Sequence, residues 1–569
     1  MAPNGQAVSY EGNGESKKPS FMSINSEELR KHDKVGDLWI SIEGKVYDVT
    51  DWLTKHPGGE NALKSLAGQD VTDAFLAFHP GTAWSLLPQF QIGVLTDYEV
   101  SPIQADYRKL LTDLKRAGLY KNPLHVYGQY LAVMIPMFVL CVLGVVYSPG
   151  FWIHIGCGVL MGFFWIQAGF MGHDIAHSGM FKTGIDKYLK LSIGCFTGIG
   201  MQWWRNNHNA HHYSCNCVDY DPDIQYMPLF AITPKFFASL YSNFYERKMD
   251  FDAAARFLVS YQHYTFYIVM ALARINLYAQ TLIVAFTRKM PFSTRAWELG
   301  ALAFYWSWFS LLLSCLPNNY HRLAFVLSAF ATTGIQHVQF VLNHFSSPVY
   351  EGRPESKTWF ESQVRGSLNI SSSPWTDWFH GGLNFQIDHH VFPTLPRHNL
   401  RKVAPFVKPL CDKYDLPYES VSWWEANLRV LRTLKAAAME ARDISKPAPS
   451  LSKSLIWEAA NAREQSRATV DCNVKAKESR DLEHVAKRTT VAGELTRARR
   501  PRQRDGCQSG RDSRARRHEA VALKTEVAIC GRVDTRTRTT KRKVRPLQSR
   551  FRKARARQET DVSLDVAIR

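Results

Sequence analysis

The chain has 569 residues, a formal net charge of +19 at pH 7 and 45% hydrophobic residues. This length suits several domains, and ten cysteines in so long a chain argue against a disulfide-stabilised secreted scaffold. The first 40 residues are polar and lack the apolar core of a secretory signal peptide, so we expect membrane insertion to use internal segments.

The positive charge is concentrated at the C-terminal end. Residues 463–569 contain 30 Lys and Arg, 14 Asp and Glu and one aromatic residue, Phe551, which leaves about +3 for residues 1–462. Such a segment cannot bury enough apolar surface to offset its ordering entropy, so we expect a disordered basic tail. It could attract nucleic acid or anionic lipid, or be a solvated extension without function. Because no folded nucleic-acid-binding module is recognisable, we expect no nucleic acid partner.

The first predicted elements are a mobile lead over 1–22 and a small α+β domain over 23–98. Within the domain, residues 38–49 alternate apolar and polar side chains around Glu43-Gly44, a pattern typical of a β-hairpin. A linker follows over 99–127, and an amphipathic helix is predicted over 106–118.

Two histidines of the small domain predict a haem site. His56 begins the turn His56-Pro-Gly-Gly, where glycines allow close approach of a flat ligand, and His79 follows 23 residues later. Two imidazoles on opposite faces of a porphyrin saturate the iron, which favours electron transfer over oxygen binding.

The remaining folded part, 128–462, is predicted to be an all-α membrane domain. Its most apolar segments could each cross a hydrocarbon core of roughly 30 Å as a helix, and they form two predicted hairpins: 128–148 with 151–172, and 297–316 with 323–343.

A fifth apolar segment, 264–286, contains Arg274 and Asn276. Charge inside a bilayer is costly. The histidine clusters can share one membrane face only if an even number of crossings separates the second from the third, so we predict that 264–286 lies in the interface.

Three histidine clusters predict a shared metal centre for two ions. Within each cluster the side chains recur at helical spacings of three or four residues, which places them on one face. The clusters are His173-Asp-Ile-Ala-His177, His208-Asn-Ala-His211-His212 and Gln386-Ile-Asp-His389-His390.

Imidazole suits iron, copper and zinc, and a haem donor of single electrons favours iron. Two ions need more than seven ligands, so His344 is the best further candidate, and Gln386 could contribute its amide oxygen. Asp174 and Asp388 are candidates for orienting imidazoles. His337 is a weaker ligand candidate, whereas His263 and His380 are predicted to have packing or interfacial roles.

From residue 23 to 462 the sequence resembles the plant front-end desaturases, in which cytochrome b5 is fused to a membrane lipid desaturase. Gln386 in the third cluster is the distinguishing feature, with His56 and His79 at the haem-ligand positions. Further family-like runs are Trp203-Trp204, Asp219-Tyr-Asp-Pro-Asp223, Ser260-Tyr-Gln-His263 and Trp378-Phe-His-Gly-Gly382. The chain departs from the usual pattern in the interior of the first cluster, at Asp388 where glutamate is usual, and in the tail.

The resemblance implies a cytosolic di-iron cap on four transmembrane helices, with haem b, two non-haem iron ions and O2 as co-substrate. It implies as ligands and catalytic residues the histidines of the three clusters and Gln386. It also implies NADH-cytochrome b5 reductase as the electron donor, and a multi-pass position in the endoplasmic reticulum membrane with the haem domain in the cytosol.

The expected reaction is O2-dependent insertion of a double bond into a long lipid chain. Two substrates stay open: a sphingoid long-chain base or ceramide, desaturated at Δ8, which we favour, and an acyl lipid, desaturated at Δ6 or Δ8. A lipid hydroxylase and a membrane-bound electron carrier with vestigial clusters are the remaining alternatives.

Overall fold

The computed structural model describes residues 21–178 and 185–443. Most of the predicted lead and the whole predicted basic tail lie outside the described residues. Met22 belongs to the first strand and not to a mobile lead. Within the described residues, a domain built on a sheet precedes a helical domain, as predicted.

The N-terminal domain contains a five-stranded sheet in the order β1-β5-β4-β3-β2. Its strands are β1 (Met22–Ile24), β2 (Asp33–Lys34), β3 (Asp37–Ile42), β4 (Lys45–Asp48) and β5 (Gln91–Leu95). The predicted hairpin is confirmed, since β3 and β4 pair antiparallel with Ile42 opposite Lys45. Glu43 and Gly44 have φ values of 50° and 73°, which a two-residue hairpin turn requires.

Four short helices pack on this sheet: α1 (Ser26–Leu29), α2 (Glu60–Leu66), α3 (Thr72–Phe78) and α4 (Gly81–Trp84). On one face, Leu38 and Ile42 pack with Phe75 of α3, and this apolar core is largely closed to water. His56 precedes α2 and His79 follows α3, so two ends of helices anchored in the same core hold the two imidazoles.

The helix predicted over 106–118 within the linker is present as α5 (Pro102–Arg116), which begins four residues earlier and packs between the two domains. Ser101 and Gln104 form a capping box at its N-terminus. Tyr107 is fully buried and donates a hydrogen bond to the carbonyl of Val391 at 3.2 Å. Arg108 binds Asp73 of the N-terminal domain at 2.5 Å. Helix α5 thus joins the two domains through contacts on both sides.

Among the described residues, the helical domain continues with these α-helices, in chain order: α6 (Leu124–Tyr147), α7 (Phe151–Ser178), α8 (Ile185–Ser192), α9 (Gly194–Thr197), α10 (Met201–Tyr213), α11 (Ala253–Ser260), α12 (Gln262–Thr287), α13 (Phe292–Ser314), α14 (Asn319–Leu342), α15 (Trp359–Arg365), α16 (Asp377–His380), α17 (Gln386–Val391), α18 (Arg397–Lys413) and α19 (Trp423–Asp443). Two small sheets pair β6 (Tyr241–Ser242) with β7 (Arg247–Lys248) and β8 (Asn369–Ile370) with β9 (Ser420–Val421). We call residues 185–261 and 343–443 the cap.

Four helices of the described chain are long and apolar enough to cross a membrane: α6, α7, α12 and α14. Three of the predicted spans fall in α6, α7 and α14. The fourth predicted span, 297–316, falls in α13, which is not one of the four candidate membrane-crossing helices. Segment 264–286 was predicted to be interfacial, but it falls in α12, which is one of them. The charge of Arg274 does not meet lipid, because this side chain is 1% exposed and stacks on Trp165 at 4.0 Å.

The contacts of α12 tie both of its ends to the cap. Gln262, in the first turn, donates hydrogen bonds to two cap carbonyls, at 2.7 and 2.9 Å. Near the other end, Thr281 accepts a hydrogen bond at 2.9 Å from the backbone N–H of Gly200, just before α10. These contacts support the interfacial position of α12, which stays a prediction.

Helices α7 and α14 lie side by side and both run toward the cap. Gly158 and Gly162 allow the close approach, since a Cβ at these positions would lie 2.0 and 2.5 Å from side-chain atoms of α14. At the opposite end, His154 and His321 share a hydrogen bond of 2.6 Å between their Nδ1 atoms. The parallel arrangement brings the histidine pair that ends α7 to the same side as His344, which follows α14.

Candidate metal centre and haem site

The first cluster lies in the last turns of α7. His173 and His177 are one helical turn apart, and their ring centroids are 4.6 Å apart. Helix α10 supplies the second cluster, in which Nε2 of His208 lies 3.1 Å from Nε2 of His212. The helical spacing therefore places both pairs on one face of their helices, as predicted.

The third cluster lies on the short helix α17, which holds Gln386, His389 and His390. The chain reaches α17 through Gly381 and Gly382, with φ values of 60° and 96°. A Cβ at Gly381 would lie 2.2 Å from the ring of Phe170 on α7. Glycine is thus required for the turn that brings the third cluster against the first.

One donor atom from each of His173, His177, His208 and His389 lies within 4.8 Å of the others. These four imidazoles, which we call group one, come from all three clusters. Nε2 of His173 and Nε2 of His208 are 3.1 Å apart. The structure therefore brings the three clusters to one place.

A second set, group two, consists of His211, His344 and His390. Nε2 of His211 lies 3.3 Å from Nε2 of His344 and 3.2 Å from Nε2 of His390. His344 is the additional ligand proposed from the sequence. The amide nitrogen of Gln386 lies 3.1 Å from Nε2 of His344, so the predicted amide candidate also reaches this group.

His212 lies between the two groups and is fully buried. Its ring centroid is 4.9 Å from that of His177 in group one and 4.4 Å from that of His390 in group two. The two groups therefore form one continuous centre.

The Sγ atom of Cys215 lies near the donor atoms of group two. It is, however, beside the Nδ1 edge of His344, on the side of that ring away from His211. Sγ is 3.7 Å from Nδ1 of that ring and 3.5 Å from the carbonyl of Gly366. The Nδ1 edge faces away from Nε2, the atom that His344 turns toward His211. We therefore assign Cys215 to the support of His344.

The donor atoms fit metal ions. Nε2 of His177 and His389 and Oε1 of Gln386 are buried and have no hydrogen-bond partner within the described part of the chain. Burial, and then the neighbouring histidines, hold the pKa of His212 and His390 well below its usual value. Neutral imidazoles that turn lone pairs toward one another are satisfied by bound cations.

Three hydrogen bonds orient the rings of group two. Nδ1 of His211 donates to Asp221 at 2.9 Å, Nδ1 of His390 donates to Oε1 of Gln363 at 2.9 Å, and Nδ1 of His344 donates to a backbone carbonyl at 2.9 Å. Although burial opposes the charged form, the Asp221 carboxylate raises the pKa of His211. Such bonds fix the tautomer that leaves Nε2 free for a metal.

Asp174 and Asp388 bind side chains other than the imidazoles that the sequence suggested, and their orienting role stays a prediction. Asp174 pairs with Arg397 at 2.9 Å and lies 3.8 Å from Nδ1 of His173, too far for a hydrogen bond. Asp388 accepts hydrogen bonds from Tyr418 and Asn369, at 2.9 and 3.0 Å. Both carboxylates instead anchor the elements that carry the clusters.

The weaker ligand candidate His337 lies outside both groups, and so does His380, for which a packing or interfacial role was predicted. His337 is buried within the helices and shares a hydrogen bond of 2.9 Å with the carbonyl of Met270. His380 lies beside Trp423, with ring centroids 5.5 Å apart. The structure therefore gives neither residue a position among the candidate ligands.

His56 and His79 fit a haem held between two imidazoles. Their ring centroids are 6.0 Å apart. Nδ1 of His56 lies 2.9 Å from the carbonyl of Gly59, and Nδ1 of His79 lies 3.2 Å from that of Phe75, which leaves both Nε2 atoms for iron. Burial, and then His56, lower the pKa of His79 to about 4, so this ring is a neutral ligand.

Sequence reasoning missed Asp221 and Gln363. Asp221 stands in the family-like run from Asp219 to Asp223, and three carboxylates shortly after a histidine cluster were a usable signal. Gln363 lies on α15 and carries no local signal, because its relation to His390 arises only from the packing of α15 against α17.

Two protein families match the chain. The fatty acid desaturase family matches residues 149–422, and the cytochrome b5-like heme/steroid binding domain matches residues 25–96. The first match includes all three histidine clusters and His344, and the second includes His56 and His79. The predicted order of a haem domain followed by a desaturase domain is confirmed.

Three desaturases are similar to the chain over most of their length. An acyl-lipid (9-3)-desaturase of Borago officinalis is 50% identical over 77% of this chain and 97% of the relative. A Delta(8)-fatty-acid desaturase of Helianthus annuus is 50% identical over 77% of this chain and 95% of the relative. A Delta 8-(E)-sphingolipid desaturase of Kluyveromyces lactis is 32% identical over 62% of each chain.

Proposed function

The chain belongs to the cytochrome b5-fused front-end desaturases, and we propose that its substrate is a sphingoid long-chain base, free or in ceramide, desaturated at Δ8. One observation supports the assignment of the reaction most strongly: imidazoles from all three sequence clusters lie close together at the end of apolar helices. The names of the Helianthus and Kluyveromyces relatives support Δ8. The Borago relative, equally identical to the chain as the Helianthus enzyme, supports an acyl lipid as the second candidate.

The family uses haem, a pair of non-haem irons and O2. An iron pair held by these residues would supply the activation of O2; in the overall reaction the lipid gives up two hydrogen atoms, and two electrons that pass through the haem, with two protons from solvent, complete the reduction of O2 to two waters. We propose His56 and His79 as haem ligands. The proposed ligands of the iron pair are His173, His177, His208, His211, His212, His344, Gln386, His389 and His390.

The side chains around group one form a cavity that suits a lipid chain. His173, His177 and His389 line it together with apolar side chains of α7, α12 and α14, among them Phe170, Leu277 and Phe340. An apolar wall excludes water from the reacting carbons and aligns a long hydrocarbon chain past the histidines. The lipid headgroup must then lie outside this apolar part.

The electron donor and the compartment belong to the same proposal. We propose that NADH-cytochrome b5 reductase reduces the haem domain and that the enzyme lies in the endoplasmic reticulum membrane, with the haem domain and the histidine clusters in the cytosol. The contacts between the haem domain and the cap support a common side of the membrane for both.

Expression in a yeast that lacks 8-unsaturated long-chain bases tests the substrate. Hydrolysed sphingolipids and total fatty acids are profiled from cells that express the wild type or the His389→Ala variant. We expect new 8-unsaturated bases from the wild type alone. New double bonds confined to fatty acids would establish the acyl-lipid alternative, and hydroxylated products would establish a hydroxylase.

Metal content separates an enzyme from an electron carrier. The purified wild type should contain non-haem iron in addition to haem iron, and the His389→Ala variant should lose non-haem iron while its haem absorbance stays unchanged. A protein that holds haem iron alone would be a carrier.

A further inference from the structure

The N-terminal domain is docked on the cap through Arg353. The guanidinium of Arg353 donates to the carbonyls of Lys64 and Ser65 at 2.9 Å each and pairs with Asp33 at 2.7 Å. The two carbonyls belong to the last turn of α2, where the helix leaves such groups without partners. One planar side chain therefore fixes both the end of α2 and the strand β2, and a lysine could not reproduce the three bonds.

Gln69 forms a second clamp beside the first. Its amide nitrogen donates to the carbonyl of Pro354 at 2.9 Å, and its amide oxygen accepts from the backbone N–H of Ser356 at 2.8 Å. Further along the same face, Thr394 donates to the carbonyl of Ala77 on α3 at 2.9 Å. Together these bonds hold α2 and α3 against the cap at several points.

Phe78 stands where α3 meets the metal centre. It directly precedes the haem ligand His79. Its ring lies edge-on to the ring of His212, with centroids 6.0 Å apart and an interplanar angle of 80°, and edge-on to Trp359 at 5.7 Å. His212 is the fully buried residue between group one and group two. One side chain thus lies between the haem-binding loop and the di-iron centre.

We propose that Phe78 is a positioning residue for electron transfer, and that the clamps of Arg353 and Gln69 form the docking surface that holds it against His212. The proposal rests on the ligand assignments of the proposed function. Each transfer oxidises the haem by one electron and reduces the non-haem centre by one. Two transfers serve each double bond, with a reduced nicotinamide as the source and O2 as the final acceptor.

The rival role for Phe78 is apolar packing alone. The ring also contributes to the buried cluster formed by α3, α5, α15 and α18. The variant Phe78→Leu keeps an apolar side chain there but removes the aromatic edge that contacts His212. Phe90→Leu is the matched control, because Phe90 is a half-buried phenylalanine of the same domain that packs on Trp52 at 5.4 Å.

The experiment follows the haem absorbance of the full-length protein in lipid nanodiscs. The haem is reduced with NADH and the reductase, O2 and yeast membrane lipids are added, and reoxidation is recorded. We expect Phe78→Leu to slow reoxidation about tenfold, with haem spectrum, haem reduction rate and non-haem iron content as in the wild type. Phe90→Leu should match the wild type.

The outcomes separate the two proposals. Equal reoxidation rates in the wild type and Phe78→Leu would overturn the role of Phe78, and so would a slow rate that is accompanied by loss of non-haem iron. A wild type whose haem reoxidation does not depend on its non-haem iron would instead overturn the proposed function, whichever lipid is supplied.

Hydrogen exchange tests the docking surface itself. In Arg353→Ala we expect faster amide exchange in α2 and slower haem reoxidation, and Arg353→Lys should be intermediate. Arg432→Ala is the control, since Arg432 is an exposed arginine that pairs with Glu425 on its own helix. Unchanged exchange in α2 of Arg353→Ala would refute the clamp.

Discussion

Nδ1 of His211 lies 2.9 Å from one carboxylate oxygen of Asp221 and 3.0 Å from the other. The carboxylate is held in place by the backbone N–H groups of Asn216 and Asp223, at 2.8 Å each. An ionised carboxylate only accepts hydrogen bonds, so His211 carries its proton on Nδ1 and presents the Nε2 lone pair to His344 and His390. A residue absent from the histidine clusters thereby sets the orientation of one of their members.

Replacement of this carboxylate should weaken the metal centre. In Asp221→Asn the amide can present its NH2 group to His211 and select the wrong tautomer, so we expect a loss of about 10- to 100-fold in activity or metal affinity. Non-haem iron per haem and product formation are measured together. Asp250→Asn, at an exposed carboxylate, is the control, and full iron and activity in Asp221→Asn would show that the bond is dispensable.

Gln363 should matter through its oxygen. Gln363→Leu removes the acceptor for Nδ1 of His390, and we expect a loss of iron or activity of the same order, about 10- to 100-fold. Gln363→Glu keeps an acceptor and should retain most activity. Gln89→Leu, at an exposed position of the N-terminal domain, is the control. A leucine variant as active as the glutamate variant would contradict the assignment.

Gln386 should be sensitive to alanine and tolerant of histidine. Its Oε1 is buried without a partner, and its amide lies 3.1 Å from Nε2 of His344; interchange of the amide oxygen and nitrogen would turn the oxygen toward that group. We expect Gln386→Ala to be severely impaired and Gln386→His to retain part of the activity, because imidazole also binds iron. Iron content and product yield are measured for both variants. If Gln386→Ala matches the wild type in both, Gln386 has only a packing role.

Gly381→Ala should disturb the third cluster. A Cβ there would meet the ring of Phe170 at 2.2 Å, in addition to the strain of a positive φ. Overpacking of this kind costs about 1–3 kcal/mol, so we expect a lower Tm and less bound iron. Gly352→Ala separates the two causes, because Gly352 also has a positive φ, +93°, but a Cβ there would meet no atom within 4 Å. If Tm and bound iron fall equally in both variants, backbone strain alone is the cause.

The C-terminal limit of the enzyme should lie between α19 and the basic segment. Arg256 donates to the carbonyl of Ala441 at 2.7 Å, and Arg442 donates to that of Ser260 at 2.8 Å. A chain that ends at Ala462 keeps these bonds and should keep iron, haem and product profile. A chain that ends at Leu428 loses them and the buried side chains of the second half of α19, and should fail to accumulate. Loss of desaturation in the chain that ends at Ala462, at expression equal to that of the full-length protein, would show that residues 463–569 contribute to the activity.

Local spacing was sufficient to predict the histidine clusters, because positions three or four apart on a helix always share a face. The same holds for the hairpin at Glu43-Gly44, where the turn residues determine the register. His344 could be proposed because it directly follows an apolar segment that ends at the cap.

Relations between distant parts of the chain could not be predicted in this way. The cost of Arg274 in a bilayer was inferred from its charge, but Trp165 and Tyr278, from two different helices, surround it. Asp388 stands inside a cluster and still binds Tyr418, because it lies on the side of α17 opposite the side that turns His389 and His390 toward the other clusters. Arg353 lies in a loop without regular structure, and only the folded chain shows that it holds the N-terminal domain.

Because the haem domain is covalently attached to the desaturase domain, the supply of electrons to the metal centre depends differently on protein abundance than it would with a separate cytochrome b5. A separate cytochrome b5 must find its acceptor by diffusion, so its contribution depends on the abundance of both proteins. A donor in the same chain is present at a fixed effective concentration, whatever the expression level. Desaturation by this protein should therefore rise in proportion to its own abundance and be insensitive to deletion of the host's free cytochrome b5.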